Sequence, residues 1–128
     1  MIYITGDTHG SFDHIEYFCN DNKTSKSDVL IILGDAGINY YGSKRDRELK
    51  QWISEFPITL FCLHGNHENR PQNISSYTTR LWSGGNVMWE YTYPNILFPI
   101  DGEVFTLGDK KCLVIGGAYS VDKFCRLS

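Results

Sequence analysis

The stretch Asp28-Val-Leu-Ile-Ile-Leu-Gly-Asp-Ala-Gly37 decides the fold. Residues 29–33 form an unbroken apolar run, rich in β-branched side chains and closed by glycine. They read as a strand with a buried environment. The strand does not fade into a neutral loop but runs straight into Gly34-Asp35, which sets a carboxylate at its tip. The pattern recurs on either side. Ile2-Tyr-Ile-Thr5 runs into Gly6-Asp-Thr-His-Gly10, and Ile58-Thr-Leu-Phe-Cys-Leu63 runs into His64-Gly-Asn-His-Glu-Asn69. In an open α/β sheet, ligands bind in the crevice beyond the carboxyl ends of parallel strands. Three polar tips of this kind point to one place.

The segments between the strands are helical in period. Ser11 is placed to cap a helix whose apolar positions Phe12, Ile15, Phe18 and Cys19 share a face, with Asn20-Asp-Asn22 at its end. Ser43 with Asp46 resembles a capping pair for a second helix, carrying Leu49, Trp52, Ile53 and Phe56 at helical spacing and closed by Pro57. Right-handed crossovers then align strands one, two and three in parallel, all three tips on one edge. The character changes after Pro71. Segments 95–100, 103–108 and 111–118 read as an antiparallel meander, with Asp101-Gly102 as a hairpin signal. The expected fold class is α/β, with parallel strands one to three followed by that meander.

With 128 residues, 41% of them apolar, the chain can bury one core and is read as a single domain over 1–128. A formal charge of -3 and an isoelectric point near 5.7 argue against a nucleic-acid footprint. The basic residues of Lys44-Arg-Asp-Arg-Glu-Leu-Lys50 alternate with acids and read as a solvated helix face. No secretory leader pattern opens the sequence, and no apolar run approaches the roughly 18 residues of a membrane helix. Cysteines 19, 62, 112 and 125 form no Cys-x-x-Cys pair, so reduced thiols and a cytoplasmic location are expected.

The chemistry lies at the tips. Carboxylates, imidazoles and an amide oxygen are ligands that hard to borderline divalent metals accept. Asp7, His9, Asp35, Asn66 and His67 supply that set. Asp7 and His9, two apart in an extended tip, face the same side, with Gly6 and Gly10 permitting a sharp backbone path. Asp35, on the middle strand, has two oxygens and can bridge two ions, and two ions about 3.5–4 Å apart can clamp a phosphoryl group. Arg70 is placed to meet a phosphate oxygen or to form a surface ion pair. His14 faces solvent, and His64 is read as structural, with support of the metal site from behind as the alternative. Tyr40, Tyr41 and the Trp82-Ser-Gly-Gly85 turn are candidate pocket walls. Gly37-Ile-Asn-Tyr-Tyr-Gly-Ser-Lys44 is not a phosphate loop, because its Lys follows the Ser instead of preceding it.

Gly6-Asp-Thr-His-Gly10, Gly34-Asp35 and Gly65-Asn-His-Glu68, in that order, resemble the first three motifs of the calcineurin-like metallophosphoesterases, and the resemblance extends loosely to Gly116-Gly-Ala-Tyr-Ser120. It implies a four-layer α/β/β/α sandwich and hydrolysis of a phosphoester by metal-activated water in a two-metal site. The ions it implies are two divalent ones, manganese first, with iron, zinc or magnesium as alternatives. Asp7 and His9 would bind one ion, Asn66 the other, and Asp35 would bridge them. His67 would contact the phosphoryl group or assist the leaving oxygen, and the only partner implied is the phosphoester substrate. The family's later histidine and its Gly-His-x-His segment have no counterpart, since all four histidines lie at or before position 67. The expectation is a front portion of a longer enzyme, with weak or no activity, incomplete metal occupancy and self-association through an uncovered sheet surface. A non-catalytic metal- or phosphate-binding regulatory module on the same fold is the alternative.

Overall fold

The computed structural model describes residues 1–6, 8, 11–34, 36–38, 44–63, 76–114 and 125–127. The element order is β1 (Ile2–Thr5), α1 (Asp13–Asn22), β2 (Val29–Leu33), α2 (Lys44–Ile53), β3 (Thr59–Leu63), β4 (Thr78–Trp82), β5 (Gly85–Trp89), β6 (Ile96–Pro99), β7 (Val104–Leu107), β8 (Lys110–Val114) and β9 (Cys125–Leu127). The first six strands form one sheet in the order β1-β2-β3-β6-β5-β4, and the last three form a second sheet, β7-β8-β9. The fold is thus mixed α/β, a mostly parallel sheet followed by antiparallel strands, as the sequence leads one to expect.

Strands β1, β2, β3 and β6 are parallel, with Ile4 opposite Ile31, Ile31 opposite Phe61, and Phe61 opposite Leu97. Alternate residues therefore supply opposite faces. Leu30, Ile32, Leu60 and Cys62 join Phe12 just before α1, Ile15 and Cys19 of α1 and Ile53 of α2 in one core. Val29, Ile31, Phe61 and Leu63 join Val87, Leu97, Phe105, Cys112 and Val114 in a second core between the sheets. Burial on both faces explains why 29–33 and 59–63 are continuous apolar runs.

The carboxyl half departs from the meander expected from sequence. The segment near 95–100 enters the main sheet as β6, parallel to β3, and only β7, β8 and β9 are the antiparallel partners of the second sheet. Asp101-Gly102 does turn the chain, with Gly102 at φ 87°, but it passes from one sheet to the other instead of joining a hairpin. One hairpin is β4–β5, closed by Ser83 and Gly84, both at positive φ (50° and 92°) as a type I′ turn requires, and another is β7–β8, turned at Gly108 and Asp109. The Trp82 ring packs on Phe61 and Phe105, with centroids 5.3 and 6.2 Å away.

Ser11 does not cap α1. The N-cap is Phe12, with no side-chain capping bond, and the helix ends on Lys23 in the left-handed region. The basic stretch of α2 is not uniformly solvated either, because Asp46 and Lys50 are buried. Lys50 ion-pairs with Glu90, whose other oxygen accepts from Ser76 Oγ at 2.7 Å. The ammonium lies over the rings of Tyr77 and Tyr93, at 5.3 and 5.6 Å from their centroids. His14 is exposed, as its place off the apolar stripe implies. Cys19 and Cys62 are buried reduced thiols, but Cys112 is disulfide-bonded, contrary to the uniformly reduced expectation. The edge strands β1 and β4 expose Ile4 and Leu81. No helix among the described residues is long and apolar enough to cross a membrane.

Candidate functional site

The register of the parallel strands decides where the polar tips go. Thr5 of β1 lies opposite Ile32, and Leu33 of β2 lies opposite Leu63 of β3. The three strands therefore end side by side on one edge of the sheet, in the order β1, β2, β3. Chain continuity then attaches Asp7 and His9 to the first end, Asp35 to the middle one, and Asn66, His67 and Arg70 to the third. These six residues lie outside the described residues, as do Tyr40, Tyr41, Ser43 and His64. What is described is the ground on which they stand.

That ground is tightly built. Thr8, between Asp7 and His9, is buried, and its Oγ1 donates a 2.8 Å hydrogen bond to the carbonyl oxygen of Ala36. Ala36 follows Asp35 directly and is itself fully buried. One side chain thus fastens the first tip to the second across a wide sequence separation. A buried hydroxyl left without a partner costs on the order of 1–3 kcal/mol, so the pairing holds both backbones in place. The carbonyl of Thr8 in turn accepts from the backbone N–H of Ser11 at 2.9 Å, which turns the chain toward α1. Thr8 is the tip residue that sequence reading missed. Its signal was its place between two ligand candidates, where alternation sends its side chain to the opposite side.

The glycines at the tips do different work. Gly34 has φ 81° and Gly37 has φ 79°, a region that costs other residues strain, so the backbone after β2 takes a path that these two glycines make possible. At Gly6 an added Cβ would meet nothing within 4 Å, and its φ is not positive. The sharp path expected there does not depend on glycine at position 6.

The donor set suits divalent ions. Two carboxylates, two imidazoles and one amide oxygen are hard to borderline ligands, with no thiolate among them. Among the described residues, no group of three or more His, Cys, Asp or Glu side chains could hold a metal ion. A shallow groove elsewhere, along the outer side of α2, is lined by Lys44, Arg47, Glu48 and Glu55 around Trp52. Its charges alternate in sign and so offer no field for an anion.

No curated protein matches the chain. The family model described as calcineurin-like phosphoesterase matches residues 1–127, a span that includes all three tips and both sheets. Family members act on phosphoester bonds with the help of divalent metals, the chemistry that the donors carried by these tips would support. The chain belongs to the calcineurin-like phosphoesterase family.

Proposed function

We propose that this chain is a metal-dependent phosphatase that hydrolyses a phosphoester at the tips of β1, β2 and β3. The observation that supports the reading most directly is the hydrogen bond from Thr8 Oγ1 to the Ala36 carbonyl, which ties the tip bearing Asp7 and His9 to the tip bearing Asp35. On this reading Asp7 and His9 would hold one ion, Asn66 would hold the other, and Asp35 would serve both. Manganese is the first choice, and iron, zinc or magnesium would also suit the donors. Two divalent ions held there would stabilise charge on the phosphoryl group and lower the pKa of a water. The remaining work falls to the protein. The His67 imidazole contacts the phosphoryl group or supplies a proton to the leaving oxygen, and Arg70 pairs with a phosphate oxygen. By ligand count, Asp7, His9 and Asp35 would hold their ion more tightly than Asp35 and Asn66 would hold theirs.

The test combines metal titration with hydrolysis of a simple aryl phosphate. Asp35→Asn is expected to lower bound manganese more than Asn66→Ala, because it removes charge from both ions. His67→Ala is expected to leave metal content unchanged and to lower turnover by roughly 10²–10⁴, the usual loss for an acid or base group. Loss of both metals on that substitution would make His67 a ligand instead. Metal uptake by the unsubstituted chain without turnover would overturn the catalytic reading in favour of a binding module.

A further inference from the structure

We propose that the outer side of α2 docks a second copy of this chain, the two helices packing antiparallel about a twofold axis that passes between Leu49 and Lys50. The groove there is lined by Lys44, Arg47, Glu48, Gln51, Trp52 and Glu55, a single stripe at helical spacing. The helical course carries on just past Ile53, because the backbone N–H groups of Ser54 and Glu55 donate to the carbonyls of Lys50 and Trp52. Lys44, Arg47, Glu48, Gln51 and Glu55 are exposed, and Trp52 is half-buried. The stripe is basic at residues 44 and 47 and acidic at 48 and 55.

Turned end for end, this stripe meets its own complement. Lys44 comes opposite Glu55 of the second copy, Arg47 opposite its Trp52, and Glu48 opposite its Gln51, and the twofold axis repeats each contact. The three contacts are an ion pair, a guanidinium on an indole face and a carboxylate that accepts from an amide. A parallel pairing would set Lys44 against Lys44 and Glu55 against Glu55. Within its own helix Lys44 pairs with Glu48 at 3.6 Å, but the two side chains are 79% and 65% exposed, so that bond is weak and leaves the ammonium further donors.

Antiparallel pairing also answers an unfavourable placement. Lys44 and Arg47 lie in the first turn of α2, where the helix dipole disfavours cations. In the pair that end lies beside the carboxyl terminus of the second helix, and Glu55 lies beside its amino terminus. Exposed charges contribute little each and set the register, whereas burial of the two Trp52 rings supplies the attraction. A foreign partner would have to reproduce this order of charges, which a second copy carries by construction. Three turns on each copy make a contact that is small beside the roughly 1,200–2,000 Å² of a stable interface, so the dimer is reversible and depends on concentration.

Sedimentation velocity on the full chain, over a concentration series at low and high salt, tests the proposal. The expected result is a monomer–dimer equilibrium that weakens as salt rises. Glu55→Lys should raise the dimer Kd roughly tenfold, because it sets like charges face to face twice, and Arg47→Gln should raise it by a smaller factor. Lys44→Glu combined with Glu55→Lys should restore the parent Kd. All three positions are exposed, and an unchanged circular dichroism spectrum checks that each variant is folded. A monomer at every concentration would overturn the proposal and leave the groove to a foreign partner of mixed charge or to solvent. So would a dimer indifferent to Glu55→Lys and Arg47→Gln, which would place self-association elsewhere, or a double variant that fails to regain the parent Kd. None of these readouts depends on a metal or a phosphoester.

Discussion

The two faces of the six-stranded sheet are built from alternate residues of the same strands, yet they differ in kind. The face under the helices mixes aliphatic side chains with the rings of Phe12, Phe56 and Phe98, and it admits charge at its margin, where Lys50 and Glu90 pair beside Tyr77 and Tyr93. A helical lysine can bury its stem in the layer and carry its ammonium to a partner at the edge. Among the described residues, the face between the sheets has no charged residue in its core, and rings fill the gap. Phe61 meets Phe105 edge to face at 5.1 Å, and Trp82 leans on both. A helix layer tolerates polar groups because its side chains are long and locally adjustable. A sheet-on-sheet layer must close by shape.

The contrast can be broken by substitution, and the largest effect is expected at its aromatic centre. Phe61→Ala should cost about 3–5 kcal/mol in urea denaturation, the usual range for a fully buried ring whose neighbours cannot collapse into the gap. A loss below about 1 kcal/mol would show that the second sheet slides inward and that shape does not govern this face. Lys50→Met comes next, at roughly 3 kcal/mol, because Glu90 keeps its bond to Ser76 but loses its countercharge in a nearly buried site. The double change Lys50→Met with Glu90→Gln should recover much of that loss. If it adds a second full penalty instead, the pair is stabilising in its own right and the helix face depends on charge. Gly85→Ala sharpens the other side. An added Cβ would lie 2.8 Å from the Phe105 ring and 2.9 Å from the Val104 carbonyl, so an overpacking loss of about 1–3 kcal/mol is expected by thermal melting.

The smallest effect lies outside both cores. The amino-terminal ammonium donates to Asp28 at 2.9 Å, and this bond, with a second from the Ser25 backbone, holds the Asp28 carboxyl below its ordinary value of 3.8. A depressed carboxyl contributes stability above its unfolded pKa and loses it as pH falls through the folded one. Asp28→Asn should therefore lower Tm slightly at neutral pH, and the difference should vanish in strong acid. Parallel melting curves at all pH values would show that the pair adds nothing.

The legibility of the sequence follows the same division. The β1-α1-β2-α2-β3 half could be read because each element declares itself locally, through an apolar run or a helical stripe, and because handedness fixes the rest. The order of β6, β5 and β4 could not. Asp101-Gly102 has the composition of a hairpin turn, but the partner of residues 96–99 is β3, more than thirty positions earlier, which no local pattern announces. β4 was missed because an edge strand with exposed Thr78, Thr79 and Leu81 lacks clean alternation. Lys50 was misread because its acid partner, Glu90, is far away in the chain. The site was legible as residue types at strand ends. That the tips converge could be argued from handedness, whereas the Thr8 to Ala36 bond that fastens two of them could not.

The position of β6 bears on the order of events during synthesis. It lies between β3 and β5, so within the described sheet it is the strand that joins the first sixty-odd residues to the β4–β5 hairpin. Until Ile96–Pro99 has emerged from the ribosome, the amino-terminal β-α-β-α-β unit and the hairpin have no shared sheet, and β3 offers an open apolar edge. Docking of one short segment then closes the sheet and supplies the floor on which the second sheet packs. Such late, long-range closure predicts a slow, concerted folding step and a nascent chain that is vulnerable to edge pairing with its neighbours before that step.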